Sequence, residues 1–180
     1  GMVHNMDIIA KAKNSMKTSR RPVIIVGLGL EPDEPYLQLR GLAESLHAPV
    51  IDTPKSKGAL PADHPLFAGT LGLTMTDPAY SILDSSDCII AIGFDVVELV
   101  KPWSQPQPLI WISNWENADP RIHSECELVG DIGYILDALL DAGSSVDEAW
   151  GENQVQASRE AHPLRSQPTV DPSTSSGRRP

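Results

Sequence analysis

Three stretches of the chain are apolar without a break: Val23-Ile24-Ile25-Val26, Cys88-Ile89-Ile90-Ala91-Ile92 and Leu109-Ile110-Trp111-Ile112. A strand with one face in water alternates apolar and polar residues, whereas a strand covered on both faces does not. The three runs therefore predict central strands of a parallel sheet. Two weaker strands fit between them, Val50-Ile51-Asp52 and Leu66-Phe67-Ala68-Gly69, and Cys126-Glu127-Leu128-Val129 follows as the last. Helical patterns separate several of them. Met6, Ile9, Ala12 and Met16 recur at helical spacing within 4–18, Leu39, Leu42, Ala43 and Leu46 form a second stripe, and Ile132, Ile135, Leu136, Leu139 and Leu140 a third. Strands alternating with amphipathic helices predict a doubly wound, mostly parallel, Rossmann-like α/β sheet of six strands with helices on both faces.

Helix boundaries carry their own signals. Thr76-Asp77-Pro78 predicts a start with Asp77 as N-cap and Pro78 at the first helical position. Asp131 caps the helix over 132–140, and Gly143 suits its end. The predicted organisation is a Rossmann-like domain over 4–143, a further polar helix within 144–162 around Val146, Ala149 and Trp150, and a flexible tail or linker over 163–180, where apolar residues nearly vanish.

In an open α/β sheet, ligands bind beyond the carboxyl ends of the strands, where the strand order reverses. The first apolar run ends in Gly27-Leu28-Gly29, the opening of a dinucleotide-type turn, but Pro32 stands where the third glycine belongs. Gly93-Phe94-Asp95 ends the second long run. A Pro- and Gly-rich loop after Asp52 carries Lys55, Lys57 and Gly58, and continues to Gly69 and Gly72. These positions, with Trp115 as a stacking residue, are the candidate nucleotide-binding set; the lysines would meet a phosphate. As structural residues, the glycines are turn formers, the lysines solvated and Trp111 core. His64 is expected to be a hydrogen-bonding loop residue. No nucleophile elbow, P-loop or metal-ligand spacing occurs, and Cys88 and Cys126 read as buried small hydrophobes.

The charge balance narrows the partners. A formal net charge of −10 excludes the basic face that nucleic acid or anionic lipid requires. No apolar run reaches the ~20 residues of a membrane helix, and no signal-peptide core is present, so a cytoplasmic protein or fragment is expected.

Over about 5–142 the chain resembles the central domain of thiamine-diphosphate-dependent enzymes of the acetolactate synthase type. The resemblance rests on Lys57-Gly58-Ala59-Leu60-Pro61, His64-Pro65-Leu66, Gly69 and Gly72, and the segment Leu83 to Gly93. It implies a six-stranded Rossmann-like sheet. It also implies that the parent enzyme's thiamine diphosphate and magnesium are held by other, catalytic domains that bind the pyrimidine and the diphosphate, in cis or in trans. No catalytic residue is then expected in this chain, and a homo-oligomer is. Acetolactate synthase-like members bind FAD in this domain, and others bind an ADP-like group. Three departures weigh against FAD here: Met75 replaces the third glycine after Gly69 and Gly72, Gly93-Phe94-Asp95 lacks an arginine, and Ser113-Asn114-Trp115-Glu116 replaces an Asp-x-Asp-Pro segment. The expected function is a mainly structural central domain or subunit with a vestigial nucleotide crevice. The alternatives are a stand-alone FAD- or ADP-binding module, or a scaffold subunit similar in size and fold to the epsilon subunit of archaeal acetyl-CoA decarbonylase/synthase.

Overall fold

A computed structural model describes residues 2–30, 36–146 and 149–163. Helix α1 (Met2–Thr18) leads into β1 (Pro22–Val26), and α2 (Tyr36–Leu46) into β2 (Val50–Asp52). Then follow β3 (Phe67–Thr70), α3 (Ala79–Ser85), β4 (Cys88–Ile92), β5 (Leu109–Ser113), β6 (Ser124–Val129), α4 (Ile132–Leu139) and α5 (Trp150–Ala161). The six strands form one sheet in the order β3-β2-β1-β4-β5-β6, and every neighbouring pair is parallel. The order reverses between β1 and β4, so the switch point lies beyond Val26 and Ile92.

The uninterrupted apolar runs have the predicted cause. β1, β4 and β5 are buried at every position, and successive residues feed opposite cores. Ile24, Val26, Ile90 and Ile92 pack with α1, α2 and α4 on one face. Val23, Ile25, Ile89 and Trp111 pack with α3 and Val155 of α5 on the other. No α-helix joins β4 to β5 or β5 to β6; Trp103 and Ile122 from those connections cover the second face instead. Phe94 and Trp103 meet there with ring centroids 5.4 Å apart.

Helix α5 belongs to this fold. Trp150 donates its indole N–H to the Pro22 carbonyl, and Arg159 donates to the carbonyls of Ala62, His64 and Phe67. Gly151 sits where a Cβ would lie 2.3 Å from the His47 carbonyl oxygen, so the helix approaches as closely as a glycine permits. The expected tail from 164 onward lies outside the described residues.

Two local expectations differ in detail. Asp77 does not cap α3 with its side chain. Its carboxylate turns back and accepts from the amides of Gly72, Leu73 and Thr74, because that tight loop presents three N–H groups with no strand partner. Asp131 does cap α4, accepting from Tyr134 N–H. That helix ends at Leu139, before Gly143.

Candidate functional site

The carboxyl ends of β1, β2 and β4 converge on a single carboxylate, Glu98. Gly27-Leu28-Gly29 leaves β1 and is clamped to the turn after β4, since Gly29 N–H donates to the Gly93 carbonyl at 2.9 Å. Gly93 adopts φ of 58°, and a Cβ there would sit 2.9 Å from Gly29 C. The chain then forms a single 3₁₀ turn over Val96–Glu98. Asp95 accepts from Val97 N–H, and Glu98 reaches back to Asp95 N–H, the reciprocal pattern of a capping box.

The Glu98 side chain extends past this local role. Leu28 N–H donates to both its oxygens at 3.1 Å, and Thr53, just beyond β2, donates its hydroxyl at 2.7 Å. Thr53 is held in turn. Its amide donates to Ser56 Oγ, and Ser56 donates to the Val26 carbonyl. A Cβ on Gly27 would lie 2.4 Å from Glu98 Oε2 and 2.7 Å from Phe94 Cα, so the turn admits no side chain without backbone movement. Trp115 closes the other side: a Cβ on Gly29 would lie 2.4 Å from its Cη2. Trp111 donates its indole N–H to the Trp115 carbonyl and fixes that loop.

The candidate set thus divides. Gly27, Gly72 and Asp95 lie against Glu98, with Gly29, Gly93 and Trp115 packed beside Gly27; Gly72 approaches so closely that a Cβ would lie 2.5 Å from the Glu98 carbonyl oxygen. Lys55, Lys57, Gly58 and Gly69 do not join them. Lys55 and Lys57 are exposed. Gly58 and Gly69, at φ of 94° and 103°, turn the chain in open space, where a Cβ on Gly58 meets nothing within 4 Å and one on Gly69 only Ala79 Cβ at 3.9 Å. Met75 points to solvent. Sequence reasoning missed Glu98, although Asp95-x-x-Glu98 is a capping-box spacing that marks it as ordered.

Other titratable groups have structural explanations. His64 Nδ1 accepts from Leu66 N–H, which leaves Nε2–H facing Glu44 at 3.0 Å, so it is the loop residue expected. Burial pushes the Cys88 thiol up to about 12 and Cys126 up to about 11, consistent with inert core residues. Beside the crevice, a cleft of about 300 Å³ opens between Asp95, Trp115 and the 116–122 loop. The Asp119 carboxylate within it is held down at about 2 by hydrogen bonds from Arg121. Among the described residues, no group of three or more His, Cys, Asp or Glu is placed to hold a metal ion, and no helix is long and apolar enough to cross a membrane.

Comparison with known proteins places this geometry. Residues 9–139 match the family model described as thiamine pyrophosphate enzyme, central domain. Acetolactate synthase of Mycobacterium leprae is 33% identical over 142 residues, covering 76% of this chain and 23% of that protein. Benzoylformate decarboxylase from Polynucleobacter necessarius superposes with a TM-score of 0.58 at 25% identity, covering 76% of this chain and 27% of that one. A Mycobacterium smegmatis protein assigned as a thiamin diphosphate-dependent enzyme shares the fold with a TM-score of 0.63 at 23% identity, covering 80% of this chain and 29% of that one. The chain spans about a quarter of the length of the curated relatives it matches. With the sheet order, the switch-point glycines and the family match over 9–139 in agreement, the chain belongs to the thiamine pyrophosphate enzyme central-domain family.

Proposed function

We propose that this chain is the non-catalytic central domain or subunit of a thiamine-diphosphate-dependent enzyme of the 2-oxoacid decarboxylase or synthase type, and that its crevice is a closed remnant of a nucleotide site. One observation carries this reading: the Glu98 carboxylate sits on the Leu28 amide, where a dinucleotide's diphosphate would need the same N–H group. The niche therefore already holds an anion, covalently part of the chain. The Trp115 ring covers Gly29, where the backbone would otherwise be open to a ligand. FAD or ADP does not fit unless Glu98 leaves and Trp115 moves.

Thiamine diphosphate and magnesium are assigned to pyrimidine- and diphosphate-binding domains in cis or in trans, within a homo-oligomer. When bound there, thiamine diphosphate supplies the carbanion chemistry of the reaction. This domain contributes a rigid sheet against which those domains are positioned.

A thermal-shift panel with FAD, ADP, CoA and magnesium thiamine diphosphate tests the reading. A ligand at 100 times its dissociation constant adds about 2.7 kcal/mol of stability, which is easily detected. No shift is expected with any of the four. A clear shift with FAD or ADP would overturn the closed crevice, and one with thiamine diphosphate alone would overturn its assignment to other domains.

A further inference from the structure

Gly69 takes no part in the Glu98 crevice, yet the open space over it is enclosed on three sides. A cleft of about 240 Å³ lies along β3, the edge strand of the sheet, between the start of α3 and helix α5. Phe67 and Ala68 of β3, Pro78 ahead of α3 and Val155 of α5 contribute its apolar lining. A Cβ on Gly69 would still stand 3.9 Å from Ala79 Cβ, so the backbone of the edge strand is bared to the cleft. The α5 side lies beyond residues 9–139, the part matched to the family, so the cleft is not a feature of the matched domain alone.

The charge of this cleft runs against that of the chain. The protein carries 24 Asp and Glu residues and a formal net charge of −10, but no acid lines the cleft; its ionisable lining residues are Arg159 and His162. A concave apolar surface with a few convergent polar groups is how a small-molecule site is built. Arg159 is held in place before any ligand arrives, because its Nη2 donates to the carbonyls of Ala62, His64 and Phe67. Those bonds use one nitrogen of a group with three, and among the described residues Nε and Nη1 have no acceptor. Glu152 and Glu160, in the neighbouring cleft, are engaged by His47 and Gln156, and among the described residues no carboxylate forms an ion pair with Arg159. A guanidinium already fixed by the backbone loses less freedom when it takes up a carboxylate.

We propose that the cleft between β3, α3 and α5 binds a compact apolar monocarboxylate, with its apolar body against Phe67, Ala68, Pro78 and Val155 and its carboxylate on Arg159. The volume sets the size. Sites for drug-sized ligands run from about 300 to 1,000 Å³, so this one takes a single ring or a short branched chain. A nucleotide is too large for it and would bring several negative charges to one guanidinium. The site shares no residue with the Glu98 crevice, and the proposal does not rest on the central-domain reading.

Benzoate is the probe, with benzamide as its uncharged isostere and phosphate as an anion without an apolar body. Each is titrated into the full chain by calorimetry, and hydrogen exchange is followed at 67–70 and 155–162. Benzoate is expected to bind and to slow exchange in both segments, with benzamide and phosphate weaker by roughly tenfold or more. S158L, at a half-buried lining position of α5, fills the cleft and leaves Arg159 in place; R159Q removes the charge. Each is expected to weaken benzoate by roughly tenfold or more. R159Q also takes a donor from three carbonyls, so its fold is checked by circular dichroism, and S158L alone decides if that fold is lost. A benzoate dissociation constant above roughly 10 mM overturns the site. Benzoate binding that S158L leaves unchanged overturns its location. Benzamide binding as tightly as benzoate overturns the role of Arg159, and phosphate doing so overturns the apolar half of the site.

Discussion

The two edges of the sheet solve the same problem with one carboxylate each, and with opposite surfaces. At the amino edge, Asp87 accepts from the Ser19 hydroxyl and from the amides of Arg20 and Arg21, tying the α1–β1 link to the start of β4. Burial pushes its pKa up, but these hydrogen bonds outweigh it, and the net shift is downward. At the carboxyl edge, Glu98 gathers Leu28, Thr53 and Asp95. Around Asp87 the surface is polar: Arg21 donates to the Ser85 carbonyl, and Gln107 bonds to Leu83 and Ser86. Around Glu98 it is apolar. The lesson is that closing a strand-end with an internal acid says nothing about what lies outside it. The amino edge is finished with polar groups, and the carboxyl edge exposes apolar ones.

The largest expected effect is at Glu98. E98A leaves the Leu28 amide, the Thr53 hydroxyl and the Asp95 amide without their acceptor, and should cost about 2–3 kcal/mol. A small anion should partly replace the lost carboxylate. Phosphate is therefore expected to raise the urea midpoint of E98A and leave the unmutated protein unmoved; a phosphate-indifferent E98A would break the view of this niche as an anion site.

At the opposite edge, D87A removes three hydrogen bonds where E98A removes four, from a position that is likewise half-buried, and about 1–2 kcal/mol should be lost. Phosphate should not rescue it, which sharpens the contrast. Because the folded pKa of Asp87 is depressed, its contribution is present above the unfolded value near 3.9 and fades as pH falls below it. Denaturation followed across pH 2 to 5 should show the gap between D87A and the parent closing toward acid.

A third carboxylate sets the limit of the comparison. Asp52, at the end of β2, is buried with the Thr70 hydroxyl at 2.6 Å as its side-chain hydrogen-bond donor. Burial raises its pKa to about 6, against the pull of Thr70 and Lys57. Its neutral form is thus favoured by folding. That stability is complete below about pH 4 and is lost as pH rises through about 6. D52N keeps the neutral shape at every pH. It should be more stable than the parent by about 1–2 kcal/mol at pH 8, after discounting for screening, and equal to it below pH 4. Equal midpoints at pH 8 would show that Asp52 is better solvated than its burial indicates.

What could be read in the chain was local. The continuous apolar runs of β1, β4 and β5 predicted central strands because alternation is a property of neighbouring residues. The cap at Asp131 and the helix around Trp150 lie within one or two turns of their own signals. Gly27, Gly29 and Gly93 were legible as strand-end turns because glycine spacing at strand ends is also local. The Glu98 niche was not. Leu28 and Thr53 lie 70 and 45 residues from Glu98, and nothing in their neighbourhoods marks them as partners. Asp77 misled for a related reason: the cap signal is genuine, but the loop over 72–74 competed for the same carboxylate and won. Lys55 and Lys57 were chosen by charge and loop position, and packing turned both outward.

By itself, then, the sequence determined the fold class and the parallel sheet, because periodicity, caps and spacing act over a few residues. The strand order and the acid in the crevice were decided only in the tertiary structure. Each of these depends on residues far apart in the chain being brought together by the burial of both sheet faces, and no local preference encodes that.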